Sequence, residues 1–147
     1  MDETDPEVKA KLVVWGRFEP LEVSELLGVE GSVRRHTDLR RDGMPWTRQQ
    51  DAWAFKTQPE LTVDWPAHIE QVLSLVRPVK AEFRKYCQRY ELEGEIGLVA
   101  TMSGFAPIGT LSRSAIQEIA ELGFGVDIDL YIASSDQHRG ASGQSAG

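Results

Sequence analysis

Asp127 and Asp129 stand two residues apart in a run, Val126 to Ile132, that alternates aliphatic with polar residues. On a strand, that spacing points both carboxylates to one face, about 6 to 7 Å apart. Such a pair can grip a divalent cation, or can keep one carboxyl protonated because its neighbour's charge opposes ionisation. Tyr131 extends the same row. A plainer duty competes with both: a polar row opposite an aliphatic row is what a half-buried strand shows, and acids also blunt an exposed edge.

The second candidate is basic. Arg34, Arg35, Arg40, Arg41 and Arg48 fall within fifteen residues that also hold His36 and Trp46. Guanidinium forks bind phosphate or carboxylate through two parallel hydrogen bonds, and an indole can stack on a flat group. The stretch could therefore hold an anionic ligand or a partner. Asp38 and Asp42 dilute its charge, and pairing with the chain's own carboxylates is the alternative.

The remaining reactive residue types suggest no chemistry. His36, His68 and His138 form no helical pair and have no Glu or Cys at zinc-site spacing. Cys87, on the inward face of its helix, reads as a packing thiol whose pKa burial raises. As the single cysteine it excludes an internal disulfide and a multi-thiolate zinc site. Ser103-Gly104-Phe105 and Gly109-Thr110-Leu111-Ser112 match neither the phosphate-loop nor the dinucleotide glycine spacing. No catalytic residue, metal ligand or cofactor is expected.

The elements that must position these residues follow from periodicity. Val8, Ala10, Leu12, Val14 and Phe18 alternate with Lys9, Lys11, Val13, Trp15 and Arg17, a strand. Pro20 opens a short helix with Leu21, Val23, Leu26 and Leu27, closed by Gly28. Val29 to Gln50 reads as a long loop or a partly paired ribbon, and Ala52 to Thr57 as a strand with Trp53 and Phe55 on one face. Asp64 can cap a helix with Ile69, Val72, Leu73 and Val76 inward, which Pro78 interrupts near Arg77. A further helix turns Val79, Phe83, Tyr86, Cys87 and Tyr90 inward. Ile96, Leu98, Ala100 and Met102 mark another strand, with Gly97 weakening its outer face. Ser112 caps a helix with Ala115, Ile116, Ile119, Ala120 and Leu122 inward and Gly123 at its end. In the closing strand, Val126, Ile128, Leu130 and Ile132 are expected against the core and the aspartates outward.

Strands and helices intermix without strict alternation, so the expected fold is α+β: two layers, a mainly antiparallel sheet with helices packed on one face. The 147 residues, 41% hydrophobic and 27% charged, suit one domain over residues 8–133. The polar, acidic start at residues 1–7 and the Gly/Ser-rich residues 134–147 are expected to be flexible. No apolar run approaches membrane-spanning length and no secretory signal is visible, which makes the cytoplasm the default. A net charge of −7 disfavours nucleic acid and anionic membranes as partners.

Taken together, Leu26-Leu27-Gly28, the basic Gly-containing loop leading to Trp53, Leu75 shortly before Pro78, and the run from Leu111-Ser112 through Leu122-Gly123 to Asp127-Ile128-Asp129-Leu130-Tyr131 resemble the bacterial family called domain of unknown function 4279. The resemblance spans Val8 to Ile132. It implies one α+β domain and no established activity, so it assigns no catalytic residue. The family's loop is usually neutral or mixed in charge, whereas this one is rich in arginine.

The leading expectation is a non-enzymatic bacterial binding module, of immunity type or an accessory protein, that meets a protein partner through its sheet face and Arg-rich loop. A rival is a small hydrolase or phosphate-handling enzyme, which needs the loop to fold over the polar face of the last strand. A third is self-association through an edge strand.

Overall fold

The computed structural model describes residues 4–133; the stretches 1–3 and 134–147, and with them the expectation of a flexible C-terminal tail, lie outside the described residues. In chain order the elements are β1 (Glu7–Gly16), α1 (Pro20–Leu27), β2 (Ser32–Arg34), β3 (Asp51–Lys56), β4 (Glu60–Leu61), α2 (Trp65–Val76), α3 (Lys80–Arg89), β5 (Glu93–Met102), α4 (Arg113–Leu122) and β6 (Gly125–Ile132). The sheet runs β2-β3-β1-β5-β6, and β4 pairs with the start of β1. Every pairing is antiparallel except β5–β6. Two parallel neighbours need a crossover, and α4 supplies it. The expected α+β, mainly antiparallel fold is the one observed.

Alternation in β1 sends Val8, Ala10, Leu12 and Val14 to the helical side, where all four are buried. Trp53 pairs with Val14 and Ile96 with Leu12, so the three central strands share one apolar face. Against it lie Val23 and Leu27 of α1, Ile69, Val72, Leu73 and Val76 of α2, Phe83 and Cys87 of α3, and Ala115, Ile119 and Leu122 of α4. Phe83 meets Phe124 edge to face at 5.8 Å between ring centroids.

Pro78 acts as anticipated: a 3-10 turn, Arg77–Val79, links α2 to α3. Ser112 caps α4, its Oγ accepting the Ala115 amide at 3.1 Å, and Gly123 closes the helix at φ 78°. Asp64 occupies the cap position of α2 but its side chain accepts no cap bond. Within the stretch read as a long loop or a partly paired ribbon, β2 adds a short edge strand to β3. The two-residue β4 was also absent from the expected elements.

The last strand departs from expectation. Its aliphatic row does lie on the helical side, since Ile128 pairs with Leu98 and Leu130 with Ala100, but Val126, Ile128, Leu130 and Ile132 are 51%, 57%, 55% and 73% exposed. The physical cause is the width of the helical layer. α2 lies across β1 and β5 and packs against α4, and α4 commits Ala115, Ile119 and Leu122 to that shared core. The edge strand lies beyond their cover. Ile116 and Ala120 of α4, expected inward, are exposed, because the helix turns Ala115, Ile119 and Leu122 to the core instead.

Candidate functional site

The arginine-rich stretch, residues 35–50, connects β2 to β3 and is pinned at its base. Asp51, buried at the start of β3, accepts the Phe18 amide through Oδ2 at 3.0 Å. Its Oδ1 takes the His36 amide at 2.7 Å and faces His36 Nδ1 at 2.8 Å. Burial pushes the Asp51 pKa up, but the bonds from His36 and Phe18 outweigh it and hold the carboxyl below its ordinary range. Beside it the Arg35 guanidinium grips Glu19 with two hydrogen bonds, which lowers the Glu19 pKa. At the far end of the stretch Arg17 Nε donates to the Gln49 carbonyl at 3.1 Å.

From this base a small β-hairpin projects. Leu39 bridges Pro45, the Arg40 amide donates to the Met44 carbonyl at 2.8 Å, and the Gly43 amide returns to the Arg40 carbonyl at 2.9 Å. Arg41, Asp42 and Gly43 form a three-residue turn whose last position is left-handed, with Gly43 at φ 81°. Arg40 Nη2 pairs with Asp42 at 2.9 Å. Arg34, on the open sheet face at β2, stacks its guanidinium on Trp46 at 4.7 Å from the ring centroid. That stack seals Arg34 Nε from solvent without a hydrogen-bond partner. Leu39, Met44 and Trp46 are exposed, and an open hollow of about 490 Å³ lies between Arg40, Arg41, Asp42 and Trp46. Arg41 and Arg48 are exposed and have no ion-pair partner among the described residues.

The acidic pair is real but differently employed. Asp127 and Asp129 share one side of β6 and both hold Lys11 of β1, whose Nζ lies 2.9 and 3.2 Å from their Oδ2 atoms. Lys11 reaches them across Gly97, where an added Cβ would stand 2.6 Å from its Cε. The lysine's hydrogen bond holds the Asp127 pKa below its ordinary value. Partial burial lowers the Lys11 pKa, but the two carboxylates more than compensate and raise it. A lysine ammonium thus occupies the position a cation would take, and no group of three or more metal-ligating side chains occurs among the described residues. Tyr131 is exposed on the same row.

The two clusters do not meet. β2, which carries Arg34, and β6, which carries the aspartates, are the opposite ends of the sheet, with β3, β1 and β5 between them. Four strand spacings amount to roughly 19 Å. The fold of the loop over the last strand's polar face, which the hydrolase reading required, is not observed, and the aspartates' partner is Lys11.

Two features went unread in the sequence. One is Asp51, a carboxylate opening an apolar strand. The other is a chain of hydrogen bonds that runs from the core to the exposed Glu60: the Ala10 amide donates to Thr57 Oγ1 at 2.9 Å, Thr57 Oγ1 lies 2.8 Å from His68 Nδ1, and His68 Nε2 lies 2.9 Å from Glu60 Oε1. The Glu60 carboxylate can only accept, so Nε2–H donates to it, and in the neutral ring Nδ1 then accepts the Thr57 hydroxyl proton. The order hydroxyl, imidazole, carboxylate is that of a nucleophilic triad. With Thr57 3% and His68 1% exposed, no substrate reaches it, and it ties β1, β3 and β4 to α2. Spacing could have found it, since His68 lies on the buried stripe of Val72 and Val76.

Over residues 6–133 the chain matches the family described as domain of unknown function (DUF4279). The chain belongs to that family. None of the curated proteins and none of the solved structures matches it. The family match covers every element from the β1 strand to β6, including both clusters, and carries with it no assigned chemistry. No helix among the described residues is long and apolar enough to cross a membrane.

Proposed function

We propose that the chain is a non-enzymatic protein-binding module, an immunity-type or accessory protein of the bacterial cytoplasm, that grips an acidic protein surface with its Leu39–Pro45 hairpin and the arginines around it. The observation that carries this reading is a hairpin fixed at its base by buried Asp51 and presenting large apolar groups beside uncommitted arginines. Interfaces concentrate their binding energy in aromatic and arginine side chains, and Leu39, Met44, Trp46, Arg41 and Arg48 supply that mixture. Anchoring through Asp51 and the Arg35–Glu19 pair removes ordering cost that a floppy loop would incur on binding. The hollow by Trp46 is shallow and open, a shape that suits a protruding side chain of a partner better than an enclosed small molecule.

The overall charge of −7 gives this side of the molecule a directional role. An acidic partner is repelled by most of the surface and attracted only where arginines outnumber acids, so encounter is oriented before contact. The test uses the immobilised full chain to retain proteins from the native host at physiological salt, followed by titration of the retained protein. Arg41→Glu with Arg48→Glu is expected to weaken that binding at least about tenfold and to flatten its salt dependence, because each reversal sets like charges together. A retained protein whose affinity ignores both substitutions and salt would reject the hairpin as the contact.

A further inference from the structure

The opposite edge of the sheet carries a separate feature. Among the described residues β6 ends the sheet, so one side of its main chain has no strand against it. The Ala133 amide donates to the Met102 carbonyl of β5 at 2.8 Å. By alternation Tyr131, Asp129 and Asp127 also turn their main-chain groups to β5, while Val126, Ile128, Leu130 and Ile132 turn theirs to the free edge. These four are the residues whose aliphatic side chains stand exposed beyond the helical layer.

Natural edges are usually blunted by Pro, Lys, a bulge or an inward charge. β6 has no Pro, no Lys and a continuous register with β5, and its two acids lean on Lys11 instead of guarding the edge. Residues 134–147 offer only Ala141 and Ala146 as apolar side chains, against a row of four large aliphatics.

We infer that β6 pairs antiparallel with β6 of a second copy, about a two-fold axis passing through Leu130. Register selects this axis. Outward-facing residues must pair with outward-facing residues, so the candidate centres are few. Centring on Ile128 sets Asp127 opposite Asp129 of the second copy, and centring on Asp129 sets that carboxylate against itself; both place like charges face to face. Centring on Tyr131 pairs only Leu130 with Ile132 and leaves Ile128 opposite a position beyond the strand. Centring on Leu130 opposes Leu130 to Leu130 and Ile128 to Ile132, and it brings Asp129 opposite Tyr131 of the second copy, whose hydroxyl can donate to the carboxylate. The main-chain groups of Ile128, Leu130 and Ile132 are satisfied, and the contact is isologous and closed. It lies at the edge away from the hairpin and stands or falls independently of it.

The experiment is sedimentation of the full chain over a concentration series, with Leu130→Lys and Leu130→Glu. The wild type should pass from monomer to dimer. Each variant should raise the dimer dissociation constant at least about tenfold, because the axis sets residue 130 against itself. An equal mixture of the two variants should restore a dimer. Leu130 is 55% exposed, so both variants should retain the wild-type circular dichroism spectrum. If either fails to fold, amide exchange of the wild type decides: the Ile128, Leu130 and Ile132 amides should gain protection as concentration rises, and Asp129 and Tyr131 should not. A wild type that stays monomeric, including one that takes up a strand of another protein, would overturn the inference. So would a Leu130→Lys dimer as tight as the wild type, a mixture that stays monomeric, or exchange at the three amides that ignores concentration.

Discussion

Asp51 satisfies two main-chain amides and an imidazole from two different segments, so a single buried carboxylate fixes both the turn into α1 and the root of the hairpin. Asp51→Asn keeps the shape but turns an amide donor toward groups that already donate. A loss of about 2 kcal/mol or more is expected at neutral pH, since hydrogen bonds to a charged acceptor contribute about 1.5 to 3 kcal/mol. The pH dependence has a definite sign. The folded-state pKa lies below the ordinary aspartate value of 3.8, so this stabilisation is fully present above that value and is lost as pH falls through the lower folded one. Denaturant unfolding of wild type and Asp51→Asn should therefore differ most near neutrality and converge in strong acid. A gap that persists unchanged in acid would mean the carboxylate's charge contributes nothing. At this scale the sequence made the types of the candidate residues legible but not their partners. Lys11 and Asp129 are 118 positions apart, and no local pattern couples them.

Elements were the most legible level. β1, α1, β3, α2, β5, α4 and β6 follow from apolar period, proline and capping residues, because those signals act within one segment. What failed was cover: the alternation in β6 correctly sorted its side chains to two faces, yet burial depends on how far α2 and α4 extend over the sheet, which no strand encodes about its neighbours. β2 was legible only as part of a stretch that could be a paired ribbon, because three residues carry no usable period. In α4 the balance between cap and packing is testable. Ser112→Ala removes one cap bond and should cost about 1 kcal/mol. Ile119→Ala, which empties a buried position, should cost about 2 to 5 kcal/mol. Both can be read from denaturant midpoints, and a reversed order would show that the helix is held by its end and not by its buried face.

For the whole molecule, the sheet separates two duties. The core depends on α2 and the three middle strands, whereas the Leu39–Pro45 hairpin reaches into solvent from one rim. Replacing that hairpin with a short Gly-rich link should shift the thermal midpoint by less than about 4 °C, because exposed substitutions usually change stability by no more than about 0.5 kcal/mol. The same replacement should abolish capture of an acidic partner. Calorimetry and a binding titration on one variant separate these outcomes, and a large fall in midpoint would make the hairpin part of the core.

The strand order has a consequence in distance. The hairpin departs from the β2 rim and the unpaired edge is β6, so joining two chains at β6 makes a ten-strand path with a hairpin at each extremity. Nine spacings separate the two prongs by roughly 43 Å across the strands, and because the hairpin is rooted at Asp51, about eight residues along the sheet from the level of Leu130, the two-fold axis offsets them by roughly 53 Å along the strands as well, about 70 Å in all and at opposite strand ends. Such an object would act as a calliper: it would reward a target that repeats its acidic feature at that span with far slower release than a single site allows, and gain nothing from targets spaced otherwise.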